Sequence, residues 1–385
     1  MKPIHEKKIA IVGGGPGGLT LARLLQMKGA EVKVYERDIN KDVRVQGATL
    51  DLHEDSGLKA LQEAGLMDAF KANYRPGADK TRVVDKHGAI LLDEEVEAGE
   101  LFRPEIDRGP LRKILLESLA EGTVVWDSHF KQLVQEDDRW KLEFHSGSAA
   151  LADIVIAADG ANSKLRPYIT PIKPFFAGMT IVEGAVYDSA NNAPAIHTLL
   201  AGGKIFALGD AKSLIVSSKG DGSLVFYTGC KTTENWVKES GINFSDREQV
   251  RNWFKQEFAG WSNIWQELFD KAEPNFIPRP QYCMPTDQHW PSLPNLTLLG
   301  DAAHLMPPYA GEGVNMAMLD ALELAKALTG NNFHDAAAAI AVYELQMLSR
   351  ASATAQMTLI QTESMHCNEG LENLLAMFSG VRPQE

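Results

Sequence analysis

The sequence predicts an α/β protein: a parallel-sheet domain, an antiparallel β-sheet domain inserted into it, and a long C-terminal helix. Three observations lead there. Residues 8–35 run as a buried strand (KIAIV, 8–12), a glycine cluster, an apolar-periodic helix (about 16–28) and an alternating strand (EVKVY, 31–35). That is a βαβ unit, whose right-handed crossover implies a parallel sheet. From about residue 172 short strands are parted by Gly202-Gly203, Gly209-Asp210 and Lys219–Gly222, the punctuation of an antiparallel sheet. Ala336–Ala339 then open a helix expected to reach the 360s. The boundaries implied are 1–171 and 279–332 for the two parts of the first domain, 172–278 for the insert and 333–385 for the terminal helix.

Between these landmarks, helices are expected at 54–64 and 108–120, and a short strand at 123–126. Residues 130–136 and 139–145 alternate around Asp137-Asp138 as a hairpin. DIVIAADG (153–160) reads as a buried strand ending in a turn. Trp236, Trp253, Trp261 and Trp265 fall in a helical stretch, roughly 233–271, where core packing is the expected role. A proline-rich connector (274–294) leads to LTLLGDAAH, a strand returning to the first sheet, and 311–329 is helical, with Val314, Met318, Ala321, Leu324, Ala325 and Leu328 apolar.

Composition narrows the function. Over 385 residues, 44% are hydrophobic and 23% charged, which excludes disordered and collagen-like chains. Lys and Arg number 38 against 51 Asp and Glu, a net charge of −13 with no dense basic block. Nucleic acid and an anionic membrane surface are therefore poor partners. Cys230, Cys283 and Cys367 are odd in number and far apart, so neither a disulfide framework nor a zinc site is suggested. The apolar run before Gly13 has only four residues, and no run approaches 18, so a cytoplasmic location is expected.

Gly13-Gly14-Gly15-Pro16-Gly17-Gly18 fits G-x-G-x-x-G between a strand and a helix. Gly13 permits the tight turn, Gly15 lets backbone approach a pyrophosphate, and Gly18 lets the helix pack on the strand, with the phosphates at its positive N-terminus. Glu36, at the end of the second strand, is spaced as a carboxylate for ribose hydroxyls. A carboxylate there repels a 2′-phosphate, so NADP is disfavoured in this Rossmann-like pocket; FAD and NAD remain.

A second element decides between them. Gly300-Asp301 follows LTLL, and Pro307 to Asn315 opens a helix. An Asp at that strand end can accept hydrogen bonds from ribityl hydroxyls, and a glycine-loosened helix N-terminus offers N–H groups to an electron-rich ring oxygen. An NAD dehydrogenase has no reason to carry this element nearly 300 residues after the first. FAD is the expected cofactor. His304 is expected to pack or hydrogen-bond near it, and the adjacent His53, Glu54 and Asp55 cannot all face one metal ion.

With GGGPGG (13–18), VYER (34–37), ADGANSKLR (158–166) and GDAAHLMPPYAGEGVN (300–315) in this order, the chain resembles the single-component FAD-dependent aromatic hydroxylases of the para-hydroxybenzoate hydroxylase type. GATLDLHEDSG (47–57), IDRGPLR (106–112) and DAAHLMPP (301–308) look most like the tetracycline-inactivating monooxygenases. The resemblance implies that Gly13, Gly15 and Gly18 hold the FAD pyrophosphate, with Glu36 and Arg37 around the adenosine ribose. It places Asp51 and Arg112 on the flavin side, Asp301 at the ribityl and pyrophosphate region, and Pro308, Gly311, Gly313 and Asn315 along the isoalloxazine ring. Arg44 matches a position linked to nicotinamide nucleotide, and Asp159-Gly160 the wider family's D-G motif.

The resemblance also implies the activity. FAD is non-covalent, NAD(P)H (NADPH favoured) docks transiently to reduce it, and O₂ adds at flavin C4a. The resulting hydroperoxide hydroxylates an electron-rich cyclic, phenol- or enol-like substrate within a dry cavity. The protein is expected to be a monomer. Tetracycline is the favoured candidate substrate and a phenolic or polyketide metabolite its rival. Glu183, Lys204 and Val225 lie near where substrate contacts are expected but do not match the tetracycline set, so no substrate residue is assigned. A ligand-sequestering flavoprotein without catalysis is the alternative from another class.

Overall fold

A computed structural model describes residues 4, 6–43, 49–94 and 103–379. Strand β1 (Lys8–Val12) is flanked by β2 (Glu31–Tyr35) and β3 (Ile154–Ala157); β4 (Leu296–Leu298) pairs with β3, and Val124–Val125 closes the far edge beyond β2. All four pairings are parallel, with Ile11 opposite Val34 on one side and Ile156 on the other. The chain leaves β1 toward β2 but returns on the opposite side as β3, so the strand order reverses at β1. Crevices at such switch points, outside the carboxyl ends of the strands, are where this architecture binds ligands.

Local chemistry explains the elements. Residues 9–12 and 154–157 are buried on both faces, as continuous apolar runs in a parallel sheet must be. Helix α1 (Pro16–Met27) starts with proline in its first turn and buries Leu19, Leu21, Ala22, Leu24 and Leu25. The expected hairpin forms as Phe130–Glu136 and Arg139–Phe144, and Ala149–Ala152 extends it to three antiparallel strands. The expected helix at 54–64 begins instead as a π-turn, Glu54–Leu58, before Lys59–Glu63 becomes α-helical. The expected helix at 108–120 is α2 (Arg108–Glu117).

The described residues divide into two units. The first contains residues up to Tyr74, Arg108–Phe175 and Cys283–Met357; the second contains Arg75–Asp107, Phe176–Tyr282 and the residues from Thr358 onward. The first holds the parallel sheet and α3 (Gly313–Thr329). The terminal helix α4 (Ala336–Met365) gives its residues up to Met357 to the first unit and the remainder to the second.

The second unit is built on a seven-stranded sheet ordered Ile277–Cys283, Phe175–Val186, Leu224–Lys231, Lys212–Ser218, Lys204–Gly209, Thr81–Asp85 and Ile90–Glu94. Two of these strands come from before residue 172, and Thr81–Asp85 pairs in parallel with Lys204–Gly209, unlike the other registered pairs. The proline-rich connector supplies Ile277–Cys283 as an edge strand, where Pro278 and Pro280 remove no inner ladder bond. One sheet face carries a core of Phe226, Phe254, Phe269, Trp261 and Trp265. The expected helical stretch at 233–271 is broken into Trp236–Glu239, Arg247–Glu257, Asn263–Trp265 and Gln266–Lys271. Gly241 and Gly260 stand at φ of 68° and 89°, and Asp246 caps the longest piece through the Glu248 and Gln249 amides. Among the described residues no helix is long and apolar enough to cross a membrane.

Candidate functional site

The glycine turn leaving β1 is shaped by contacts that only hydrogen side chains allow. Gly13 has φ of +112°, and its N–H donates to the Tyr35 carbonyl at 2.9 Å. A Cβ on Gly18 would lie 2.2 Å from the Gly13 carbonyl oxygen and 3.3 Å from Ile11 and Ala158, so helix α1 sits directly on the strand. At Gly15, the cap of α1, a Cβ would meet nothing within 4 Å. That open space faces the first turn of a 12-residue helix, whose free N–H groups favour an anion.

Glu36, immediately after β2, is 2% exposed and accepts the Gly14 N–H at 2.5 Å and the Asp38 N–H at 3.1 Å. Arg37 beside it is exposed. Arg112, on α2, donates to Asp38 at 3.0 Å and to the Lys41 carbonyl at 3.0 Å, with its guanidinium 5.5 Å from the Trp126 ring centre. It thus stands with the loop after β2, close to Glu36 in sequence. Arg44 lies outside the described residues.

At the end of β3, Asp159 accepts the Lys164 N–H at 2.7 Å. Burial raises the pKa of this carboxyl, against bonds from Ser163 and the Lys164 amide. At the end of β4, Gly300 takes φ of 60° and ψ of −146°, and Asp301 begins a short turn of helix. Burial raises the pKa of Asp301 too, opposed by the nearby charges of His304, Arg108 and Arg166. No side chain or amide among the described residues donates to its carboxylate. The turn's backbone is held from outside instead. Arg166 donates to the carbonyls of Ala302 (2.7 Å), Asp301 (2.9 Å) and Ala161 (3.1 Å), joining the D-G turn to the G-D turn.

His304, expected to pack or hydrogen-bond near the cofactor, is buried and hydrogen-bonded to a partner that the motifs do not indicate. Its Nε2 lies 2.5 Å from Asp320 Oδ2, and both residues are buried. Burial disfavours charge on each, but the pair outweighs it, raising the histidine pKa and lowering that of the aspartate. Asp320 sits in the apolar row Ala317, Asp320, Leu324 and Leu328 of α3. An acidic residue in such a row was the available signal. Arg166 closes ADGANSKLR (158–166), a motif that by itself gives the arginine no role.

Asn315, fully buried, works on the protein itself. It donates to the Asp51 carbonyl (2.9 Å) and the Gly311 carbonyl (3.3 Å) and accepts the His53 N–H (2.9 Å). His53 in turn stands 3.2 Å from Asp51 and 3.5 Å from Glu312. The loop is therefore stitched to residues 51–53, and the π-turn follows: a Cβ on Gly57 would lie 2.6 Å from Asn315 Oδ1. Pro308 is exposed, Gly311 has φ of 70°, and a Cβ on Gly313 would meet nothing within 4 Å. In the second unit Lys204 pairs with Glu105, Glu183 accepts from Arg279 at 2.6 Å, and Val225 is buried.

The ends of β1, β2, β3 and β4 thus carry the glycine turn, a buried carboxylate, the D-G turn and the G-D turn at the switch point of one parallel sheet. This defines a dinucleotide-binding protein with two separate elements for one long cofactor. FAD fits the residues present: space at Gly15 for a pyrophosphate, a carboxylate at Glu36, and an Asp301 carboxylate with acceptor capacity to spare.

The chain belongs to the FAD binding domain family, whose model matches residues 6–357, and it is an FAD-dependent oxidoreductase. It is 29% identical over 383 residues to the 3-amino-4-hydroxybenzoate 2-monooxygenase PtnB3 of Streptomyces platensis, covering 95% of this chain and 90% of that one. The fold is shared with Klebsiella pneumoniae HpxO complexed with FAD and uric acid, at a TM-score of 0.77 and 22% identity over 97% of this chain and 92% of that one. It is also shared with tetracycline destructase Tet(55), at a TM-score of 0.75 and 21% identity, with 100% of each chain covered. The likeness drawn from the motifs is matched by the family model and by this shared fold.

Proposed function

We propose that the protein is a single-component monooxygenase, monomeric and cytoplasmic, that oxidises NAD(P)H and transfers one oxygen atom from O₂ to an electron-rich cyclic substrate. The balance is substrate–H, NAD(P)H, H⁺ and O₂ giving substrate–OH, NAD(P)⁺ and water. The observation that carries this reading is the meeting of Gly13–Gly18, Glu36, Asp159 and Gly300–Asp301 at the ends of four adjacent parallel strands. When bound, FAD supplies the redox chemistry and the activation of oxygen.

The chain's own residues bind and orient. The α1 N-terminus and Gly15 would receive the pyrophosphate, Glu36 would accept from the adenosine ribose, and Asp301 would accept from ribityl hydroxyls. The loop from Pro308 to Asn315, fixed by Asn315, would present the N-terminus of α3 to the ring, where negative charge grows on reduction. No side chain need act as a nucleophile. NADPH is the favoured reductant, read by residues other than Glu36.

A phenolic ring is the leading substrate class, because a relative 29% identical over 95% of this chain is named for a hydroxybenzoate. A tetracycline is the second reading, from the full-length match in fold to Tet(55). The test is a substrate screen on purified yellow protein, following NAD(P)H oxidation and product mass, with hydroxybenzoates and tetracyclines included. Substrate-stimulated oxidation with one added oxygen atom in the product is expected. Colourless protein that fails to bind added FAD would refute the proposal.

A further inference from the structure

We infer that Asp320 is a positioning residue of the FAD site: its buried carboxylate ties the Gly300 amide to His304 and Arg350, and so sets where Asp301 stands. The inference rests on the reading of Gly300–Asp301 as part of the FAD site.

Asp320 is 0% exposed and both its oxygens are used. Oδ2 accepts the Gly300 N–H at 2.9 Å and meets His304 Nε2 at 2.5 Å, gripping the turn at its first and last residues. Oδ1 accepts from Arg350 on α4 at 2.7 Å, and the other arm of Arg350 donates to Glu323 at 2.7 Å. The turn needs such a hold. Gly300 sits at φ of 60° and ψ of −146°, a region that only glycine occupies readily and that persists where the surroundings over-determine it. Asp301, one residue on, has no donor of its own among the described residues, so its place is set by the backbone that carries it.

Stability alone does not account for the arrangement. A buried charge network is a weak stabilising device, because apolar residues of similar volume often serve as well. What a leucine at 320 could not do is hold an amide and an imidazole at fixed points. Asp320, His304 and Arg350 belong to three separate segments, so the terminal helix becomes part of the cofactor site without touching the cofactor.

The test compares FAD affinity with apo stability in the full-length chain. For Asp320→Asn, FAD titration by flavin fluorescence should give a Kd about ten- to hundredfold weaker, with an altered visible circular dichroism of the bound flavin. Arg350→Met should weaken FAD less, and Arg350→Lys less again, since lysine returns a charge to Asp320. Glu344→Ala is the control: on the same helix, Glu344 accepts from Ser292 and Thr297 and makes no bond to the turn. It should lower the apo Tm while leaving Kd within about twofold. A folded Asp320→Asn with wild-type Kd overturns the inference. So does Glu344→Ala weakening FAD as much as Asp320→Asn at an equal loss of Tm. If Asp320→Asn does not fold, Arg350→Met decides by the same two outcomes. Wild-type affinity in Asp301→Ala would instead sink the underlying reading of the site.

Discussion

Gly15→Ala should separate the cofactor from the fold. Gly15 caps α1 in extended backbone (φ −80°, ψ 177°), which alanine adopts without strain, and a Cβ there meets no protein atom within 4 Å. Two small effects then act on the apo protein. Restricting the unfolded chain stabilises by about 0.4–1 kcal/mol. Exchanging a glycine cap for alanine costs roughly 0.5–1 kcal/mol. They cancel to within about 1 kcal/mol, which moves Tm by no more than about 2–4 °C. The cofactor meets the methyl group where its pyrophosphate should approach, and overpacking of about 1–3 kcal/mol would raise Kd about five- to 150-fold. Gly18→Ala should do the reverse. Its Cβ would lie 2.2 Å from the Gly13 carbonyl oxygen, so about 1–3 kcal/mol is lost before any cofactor binds, a Tm drop of about 2–12 °C. Thermal denaturation of the apo proteins and FAD titration of both variants measure the two effects. A wild-type Kd for Gly15→Ala would refute the placement of the pyrophosphate.

Asp301→Ala removes a charged acceptor and should weaken FAD about ten- to hundredfold; an unchanged titration would make Asp301 a turn residue only. Glu36→Ala should weaken FAD without altering the NADH-to-NADPH preference, whereas Arg44→Ala should raise KM for NADPH with FAD content intact. FAD lost from Arg44→Ala would assign that residue to the other nucleotide. A Cβ at Gly313 meets no protein atom within 4 Å, so in Gly313→Val a shifted flavin spectrum or slower flavin reduction in a protein of normal FAD content would report the ring beside it; normal values for both would leave Gly313 as a helix start. In the second unit, His366 donates from Nδ1 to the Thr362 carbonyl at 2.7 Å and accepts at Nε2 from Ser213 at 2.9 Å, bonds that fit the neutral ring. Burial pushes its pKa down to about 4. The unfolded chain takes up this proton near pH 6.5 and the folded chain only near 4, so stability is complete above 6.5 and falls as pH drops between those values. Chemical denaturation across that window should show a shallower fall for His366→Gln, and identical slopes would refute the assignment.

The parts of the site legible in the sequence are those whose chemistry is local. Gly13–Gly18 and Glu36 are fixed by one βαβ unit, where strand, turn and helix follow each other within 30 residues and spacing carries geometry. Gly300-Asp301 is legible for the same reason, as a strand end followed by a helix. The rest depends on partners distant in the chain. Thr81–Asp85 joins Lys204–Gly209 in parallel across more than a hundred residues, and nothing in either pattern names the other. The π-turn at Glu54–Leu58 contains Gly57, where a Cβ would lie 2.6 Å from Asn315 Oδ1, a closeness invisible to helix periodicity. Asp320 shows the limit most plainly. In sequence it is one acidic residue in an apolar helical row, open to interpretation as a solvated edge. Only when α3, the Gly300 turn and α4 are brought together does it gain His304, the Gly300 amide and Arg350 as partners. Charge buried in a core carries information that periodicity discards, because its meaning lies in the partner that neutralises it.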